Sequence, residues 1–253
     1  MTFQAYNRTR RLGAALDRMR GGADLTRVGL EHGFDSASGF RDAFARTFGG
    51  PPGRRRTAPC VVAHTIESPL GPLLICATPT AVSRLDFGDP QPLDTRLPAL
   101  QQRLGCPVVP GTNERIEQLT DELARYFAGE LQEFRVPLVY GGTPFQHAVW
   151  SELRRIPYGQ TISYEELARR VGRPGAQRAV GQANGANPIG IVIPCHRVVN
   201  KGGQLGGYGG GLWRKQLLLD LERRGAGRDA VPGDLFGQTH RRGASPRGHA
   251  SAG

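Results

Sequence analysis

An α+β fold follows from three features of the sequence. Residues 61–90 alternate short apolar runs with proline and glycine turns, the pattern of antiparallel strands. Segments on either side carry apolar residues at helical spacing. Glycine or proline marks most of the junctions, so the elements have defined stops.

Residues 4–20 are predicted helical, with Leu12, Ala15, Leu16 and Met19 on one face. ADLTRVGLEHGF is a short helix ended by Gly33. DSASGFRDAFARTFG is another, with Phe40, Phe44 and Phe48 along one face and Gly49 as its stop. Helix, glycine-containing turn and helix with a basic surface make a helix-turn-helix pattern, which ordinary helical hairpins share. GGPPGRRRTAP breaks regular structure and reads as a linker. VVAHTI, LLICAT and AVSRLDFG are the strands, with SPLGP as a turn. TNERIEQLTDELARYFAGE is a helix with Ile116, Leu119, Leu123 and Phe127 on its stripe, and FRVPLVY is extended. TPFQHAVWSELRRI is a helix with Phe145, Val149, Leu153 and Ile156 inward. ISYEELARRVG opens on Ser163 with Glu166 three residues later, a capping box. After Gly225 the chain is rich in Gly, Arg and Ser, a composition expected to be disordered. The units expected are 1–56, 61–141, 142–225 and a tail, 226–253.

Charge is segregated. Residues 1–56 carry net +6, residues 57–141 net −4, residues 142–225 net +7 and the tail +2, within a total of +11. Of the 33 basic residues, 31 are arginine, which codon bias could produce; bias does not produce the segregation. Two basic segments around an acidic one predict an anionic partner touching the flanks, nucleic acid or a membrane surface. No apolar run of membrane-spanning length and no signal-peptide pattern occurs, so a soluble, cytoplasmic protein is expected.

The four cysteines, Cys60, Cys76, Cys106 and Cys195, form no CxxC pair, which argues against a structural zinc site. Cys195 stands apart. IVIPCHRVVN, residues 191–200, reads as a buried strand that ends at Pro194 and delivers a nucleophile, a base and a cation in succession. AQRAVGQANGAN, residues 176–187, reads as the second helix of another helix-turn-helix. Gly181 and Gly185 each cost about 1 kcal/mol relative to alanine in a helix. With Ala179, Ala183 and Ala186 they make it slim enough to approach a neighbouring helix, or the minor groove of DNA, only about 6 Å wide.

IPCHRVV, preceded by ANP and followed by GYGGGLWRKQLLLDLE, resembles the active-site signature of the O6-alkylguanine-DNA alkyltransferases, the methylated-DNA–protein-cysteine methyltransferases. The likeness runs over about residues 143–223, and residues 61–140 resemble the family's amino-terminal subdomain. Residues 1–56 resemble the second helix-turn-helix of AraC-type regulators. That order of parts is similar to the carboxy-terminal portion of the adaptive-response regulator Ada. The resemblance implies a ribonuclease H-like strand-rich subdomain, then a winged-helix-type methyltransferase subdomain, behind a small helical module.

It also implies a chemistry. An alkyl group on guanine O6, and also on thymine O4, moves in line to a cysteine sulfur, in DNA repair by direct dealkylation. A free thiol is only a few per cent thiolate at pH 7 and needs activation. Cys195 is then the acceptor, His196 its base through a water, and Glu222 the carboxylate that orients the histidine. Tyr208 hydrogen-bonds the extruded base, and Asn187 bridges the slim helix to the active-site segment. Tyr164 faces the target phosphate and Arg178 fills the gap in the stack, from a helix whose Ala179 and Gly181 allow close approach. Arg197 is placed at the DNA. The carbonyls of Cys195 and Val198 read the exocyclic amine, and Lys215 stands at the pocket wall. The product thioether is stable, so each molecule reacts once. No metal or other cofactor is implied, and a monomer acting on double-stranded DNA containing O6-alkylguanine is expected.

Gly209 stands where family members often have serine, so one bond to guanine O6 passes to backbone. The zinc module and first helix-turn-helix of Ada have no counterpart here, and Arg55 stands where such modules usually have an aromatic residue. Two alternatives remain: a transcriptional regulator using the methyltransferase part as sensor, and a Cys-His-Glu thiol hydrolase, which would turn over.

Overall fold

The computed structural model describes residues 2–88 and 92–229. Thr2 opens helix α1 (Phe3–Arg20), its hydroxyl accepting the Ala5 N–H at 3.2 Å. Leu12, Ala15, Leu16 and Met19 are buried, as their spacing predicts. Asp24 caps α2 (Leu25–Glu31) and Ser36 caps α3 (Ala37–Phe48). Gly49 ends α3 at φ 73°, a left-handed conformation that disfavours a side chain. Phe40, Phe44 and Phe48 follow one another along the buried face, with ring centroids 5.8 and 4.4 Å apart.

The segment read as a linker is packed. Pro52–Arg54 make one 3-10 turn, and Pro52, Ala58 and Cys60 are buried. Arg20 Nη2 donates to the Ala58 carbonyl at 2.7 Å, tying α1 to the entry of the sheet.

β1 (Val61–Ile66), β2 (Leu73–Ala77) and β3 (Val82–Phe87) form the expected antiparallel meander. A fourth strand, β4 (Val108–Pro110), pairs parallel with β1, giving the order β3-β2-β1-β4, a ribonuclease H-like arrangement. Strand β4 and the preceding helix α4 (Leu93–Leu104) escape the sequence reading for physical reasons. Three residues are too few to show alternation, and Pro98 interrupts the helical pattern of α4. Val62, Leu73, Ile75 and Val109 face a core shared with α1 and with α5 (Glu114–Ala128). Val61, Ala63, Leu74 and Val108 face α4 on the other side. Helix α1 runs over the β4 edge. A Cβ at Gly13 would lie 2.6 Å from a Val109 methyl, and Tyr6 packs with the cluster on the opposite face. The exposed ladder of an edge strand is thereby covered.

On α5 the fully buried aromatic is Tyr126; Phe127, assigned to the stripe, is half-buried. α6 (Pro144–Arg154) opens on a capping box between Thr143 and Gln146. Val149, Leu153 and Ile156 are buried as predicted and Phe145 half-buried. Trp150 is buried beside them, its Nε1–H donating to the Ala183 carbonyl at 2.9 Å. Ser163 caps α7 (Tyr164–Arg170), but the capping box predicted there is one-sided. The Glu166 carboxylate is taken by Arg169 and Arg170, two cations within one turn. α6, α7 and α8 (Gln177–Gly185) pack on one another beside a two-stranded parallel wing, β5 (Ile162–Ser163) with β6 (Val198–Val199). The last helix, α9 (Leu212–Asp229), continues four residues into the segment expected to be tail; residues 230–253 lie outside the described residues.

The outer edge of β3 joins the two halves. Val82 bridges to Leu138 within the strand-rich half, and Leu85 crosses to Ile189 of the other, with Leu85 N–H donating to the Pro188 carbonyl and Gly190 N–H to that of Leu85. These bonds satisfy edge groups that would otherwise face solvent, and they fix the segment leading to Cys195.

Candidate active site

That segment is not the end of a strand. Ile191 has φ 68°, and the Val192 N–H reaches back to the Gly190 carbonyl at 2.7 Å. The Cys195 N–H reaches the Ile193 carbonyl at 2.8 Å. Two three-residue turns thus stand back to back, and Cys195–Arg197 form a 3-10 turn before β6. The apolar run reflects burial on every side rather than strand pairing, which periodicity cannot separate over so few residues.

Cys195 opens onto a cavity of about 610 Å³. Its walls come from both halves of the chain: Leu85 and Phe87 of β3, Asn184 and Asn187 at the end of α8, and Tyr208 and Gly209 from the glycine loop before α9. Asn187 Nδ2 donates to the Ile193 carbonyl at 2.7 Å and to Cys195 Sγ at 3.1 Å, while its Oδ1 accepts the Ile189 N–H. Burial pushes the Cys195 thiol up; the Asn187 bond and the nearby Lys215 ammonium oppose this without reversing it. The resting sulfur is therefore a thiol.

His196 is fully buried, and burial lowers its pKa, so the ring is neutral. Its Nε2 lies 2.8 Å from Glu222 Oε1. Burial alone would raise the Glu222 pKa, but hydrogen bonds from His196 and Arg197 hold it at about 2. An ionised carboxylate only accepts, so Nε2 carries the proton and Nδ1 keeps a basic lone pair. Nδ1 is buried and has no hydrogen-bond partner. Glu222 also receives the Tyr126 hydroxyl at 2.7 Å and the Gly159 N–H at 3.2 Å.

Arg197 departs from its expected place at the DNA. It is buried, with Nε and Nη2 on Glu222 at 2.9 Å and Nη1 on the Ile156 carbonyl at 2.6 Å. A guanidinium removed from water needs such partners, and these leave it no path to a phosphate.

The other residues singled out in the sequence divide three ways. Tyr208 and Gly209 line the cavity; the Tyr208 hydroxyl is buried, unpartnered and, through burial, held well above its ordinary pKa. Tyr164 and Gly181 line its mouth, and a Cβ on Gly181 would sit in ordinary contact with the Tyr164 ring, so the slim helix α8 does pack on a neighbour. Arg178 and Ala179 are exposed on α8, and Arg178 borders a second hollow with Tyr164 and Asn200. Val198 and Lys215 lie behind the wall. Lys215 Nζ donates to the Val198 carbonyl at 2.6 Å, which occupies one lone pair of the carbonyl assigned to base reading.

Two participants went unforeseen. In the sequence Tyr126 is one more residue of an amphipathic helix, and nothing local marks its bond to Glu222. Asn184 is buried, with Nδ2 on the Cys195 carbonyl at 3.3 Å; an amide on the inner face of a slim helix was its one signal. Among the described residues, no group of three or more His, Cys, Asp or Glu is placed to hold a metal, and no helix is long and apolar enough to cross a membrane.

Three family models match the chain. Residues 61–140 match the ribonuclease-like domain of 6-O-methylguanine DNA methyltransferase, and residues 144–224 match its DNA binding domain. Residues 1–58 match a helix-turn-helix domain. The methylated-DNA–protein-cysteine methyltransferase of Mycobacterium leprae is 45% identical over 160 residues, 63% of this chain and 91% of the relative. The inducible one of Bacillus subtilis is 49% identical over 120 residues, 47% of this chain and 67% of the relative. The crystal structure of Mycobacterium tuberculosis OGT in complex with DNA is similar with a TM-score of 0.57 at 43% identity, covering 65% of this chain and 94% of that one.

Proposed function

This chain belongs to the 6-O-methylguanine DNA methyltransferase family, and from that premise we propose how its residues perform the family's reaction. The reaction is DNA repair by direct transfer of an alkyl group to a cysteine of the protein itself.

Cys195 is the acceptor. The observation that carries this is its sulfur at the wall of the cavity, held by Asn187 and followed by a neutral His196 with a free Nδ1. The Sγ–carbon bond forms as the carbon–O6 bond breaks. The thiol proton passes through a water to His196 Nδ1, and the imidazolium is stabilised by anionic Glu222. Glu222 itself stays ionised because Arg197 remains paired with it. The neutral Tyr208 hydroxyl donates a hydrogen bond to the guanine as negative charge develops on it. Asn187 supports the sulfur and fixes the turn that presents it. A thioether product leaves the molecule spent.

The target base must leave the stack to reach the cavity. Tyr164 at the mouth turns its phosphate, and Arg178, exposed on α8, takes the vacated place. The small size of Ala179 and Gly181 lets α8 enter the minor groove. Gly209 supplies backbone rather than a hydroxyl at the base. The substrate is duplex DNA with O6-alkylguanine, and O4-methylthymine by the same displacement. The protein acts as a cytoplasmic monomer, with residues 61–141 and 142–225 as its two catalytic units and residues 1–56 as an accessory DNA contact. The helix-turn-helix match over residues 1–58 favours one further reading, an Ada-like regulator.

Mass spectrometry after mixing with duplex containing O6-methylguanine tests the assignment. One methyl group on Cys195, absent in Cys195→Ala, is expected, with DNA binding retained by the variant. A methyl group mapped to Cys60, Cys76 or Cys106 would remove Cys195 from the role.

A further inference from the structure

The glycine loop that carries Tyr208 raises a mechanical problem. Five of the six residues 206–211 are glycine, a composition with little conformational preference of its own. Yet this loop forms one wall of the cavity.

Arg214, in the first turn of α9, sits against the loop. Its guanidinium stacks between two rings, 5.0 Å from the Phe87 centroid and 4.5 Å from that of Trp213. Nη1 donates to the Gly210 carbonyl at 2.8 Å and Nε to the Leu70 carbonyl at 2.7 Å. Leu70 belongs to the β1–β2 turn and Phe87 ends β3, so both fixed points lie in the strand-rich half. Phe87 in turn meets the Tyr208 ring edge-on at 5.6 Å, and a Cβ on Gly210 would collide with Phe87. The contacts form a continuous path: Trp213, Arg214, Phe87, Tyr208.

We propose that Arg214 is a positioning residue for alkyl transfer, bracing the Tyr208 wall of the cavity against the strand-rich subdomain. It touches neither sulfur nor base. Its planar fork bonds two carbonyls from separate segments while its faces are held by rings, which a lysine ammonium cannot reproduce. The proposal rests on the alkyltransferase reading above. It gives the strand-rich half a part in that reaction: it holds still the one side chain that the glycine loop presents to the base.

The test is single-turnover reaction of the full chain with free O6-benzylguanine, recording the second-order rate constant, the reactive amplitude and the thermal midpoint. Arg214→Ala should lower the rate constant about tenfold, the size of one lost hydrogen bond, with its amplitude retained. Arg214→Lys should recover less than half of that loss on a logarithmic scale. Because the brace acts through Tyr208, Arg214→Ala in a Tyr208→Phe background should cost less than about twofold more. Trp213→Ala removes only the outer ring and should fall between wild type and Arg214→Ala; it carries the test if Arg214→Ala does not fold. A wild-type rate constant in these variants overturns the brace, as does a loss confined to amplitude and midpoint, or a full tenfold loss added to Tyr208→Phe. A wild-type protein that takes up no benzyl group overturns the alkyltransferase reading instead.

Discussion

His196 Nε2 and Glu222 Oε1 meet at 2.8 Å with neither side chain exposed. The carboxylate fixes the tautomer of the ring, and Arg197 and Tyr126 keep the carboxylate from taking the ring's proton by saturating it with hydrogen bonds. Orientation of the base and its protonation state therefore have one origin.

Acid should dismantle this arrangement in two stages. His196 has a lowered folded pKa, so its contribution to stability is complete above the ordinary value of 6.5 and declines as pH falls below it. Glu222, held at about 2 against an ordinary 4.5, contributes fully above 4.5 and loses its share as pH falls toward 2. The second stage is on the order of 3 kcal/mol. Urea unfolding from pH 7.5 to 3 should show stability falling from about pH 6.5 and more steeply below about 4.5. Glu222→Gln should remove the steeper part, and a pH-independent stability across that range would contradict the account.

Arg197→Met should cost about 3–5 kcal/mol of stability, because it leaves Glu222 buried beside fewer donors. Affinity of the folded fraction for unmodified duplex should be unchanged. A salt slope of DNA binding reduced by about one unit would return Arg197 to the DNA surface.

Arg178→Ala should slow repair of duplex DNA more than reaction with free O6-benzylguanine, which needs no extrusion. A stack-filling cation is worth about 1–3 kcal/mol by comparison with single-base stacking contacts. Equal slowing of both reactions would make Arg178 part of the scaffold.

Removal of residues 1–56 strips α1 from Val109 and uncovers the β4 edge. The truncated chain should lose thermal stability and aggregate more readily, yet still transfer one alkyl group per folded molecule. Its DNA affinity should weaken most at low salt, the log–log slope flattening by about 0.9 per lost phosphate contact. The loss should be similar across sequences, since one recognition helix makes few base contacts. A footprint on one sequence that vanishes on truncation would favour the regulator.

The elements readable in the sequence were those whose pattern is long and local. The phenylalanine repeat of α3 and the three-strand meander lie where their spacing puts them. Strand β4 was illegible because its partner lies more than forty residues away and its own length is three. The grouping of Cys195, His196 and Glu222 came from a motif, since no periodicity brings residue 222 to residue 196. Arg197, expected at the DNA, is paired with Glu222, and this is illegible for the same reason: an arginine looks alike in sequence whether its partner is a phosphate or a buried carboxylate. Tyr126 shows the limit most plainly, as its acceptor stands 96 residues downstream.

The crossing of α1 over β4 also has a temporal side. Gly13 leaves the ribosome long before Val109, so the first helix waits through most of the strand-rich half for the surface it will cover. Contacts so distant along the chain close slowly. Of the elements that pack on α1, α2 and α3 follow it directly in the sequence, whereas β4 comes later. The burial of α1 therefore joins one early and one late segment of the chain, and its last partner is also its most distant one in sequence.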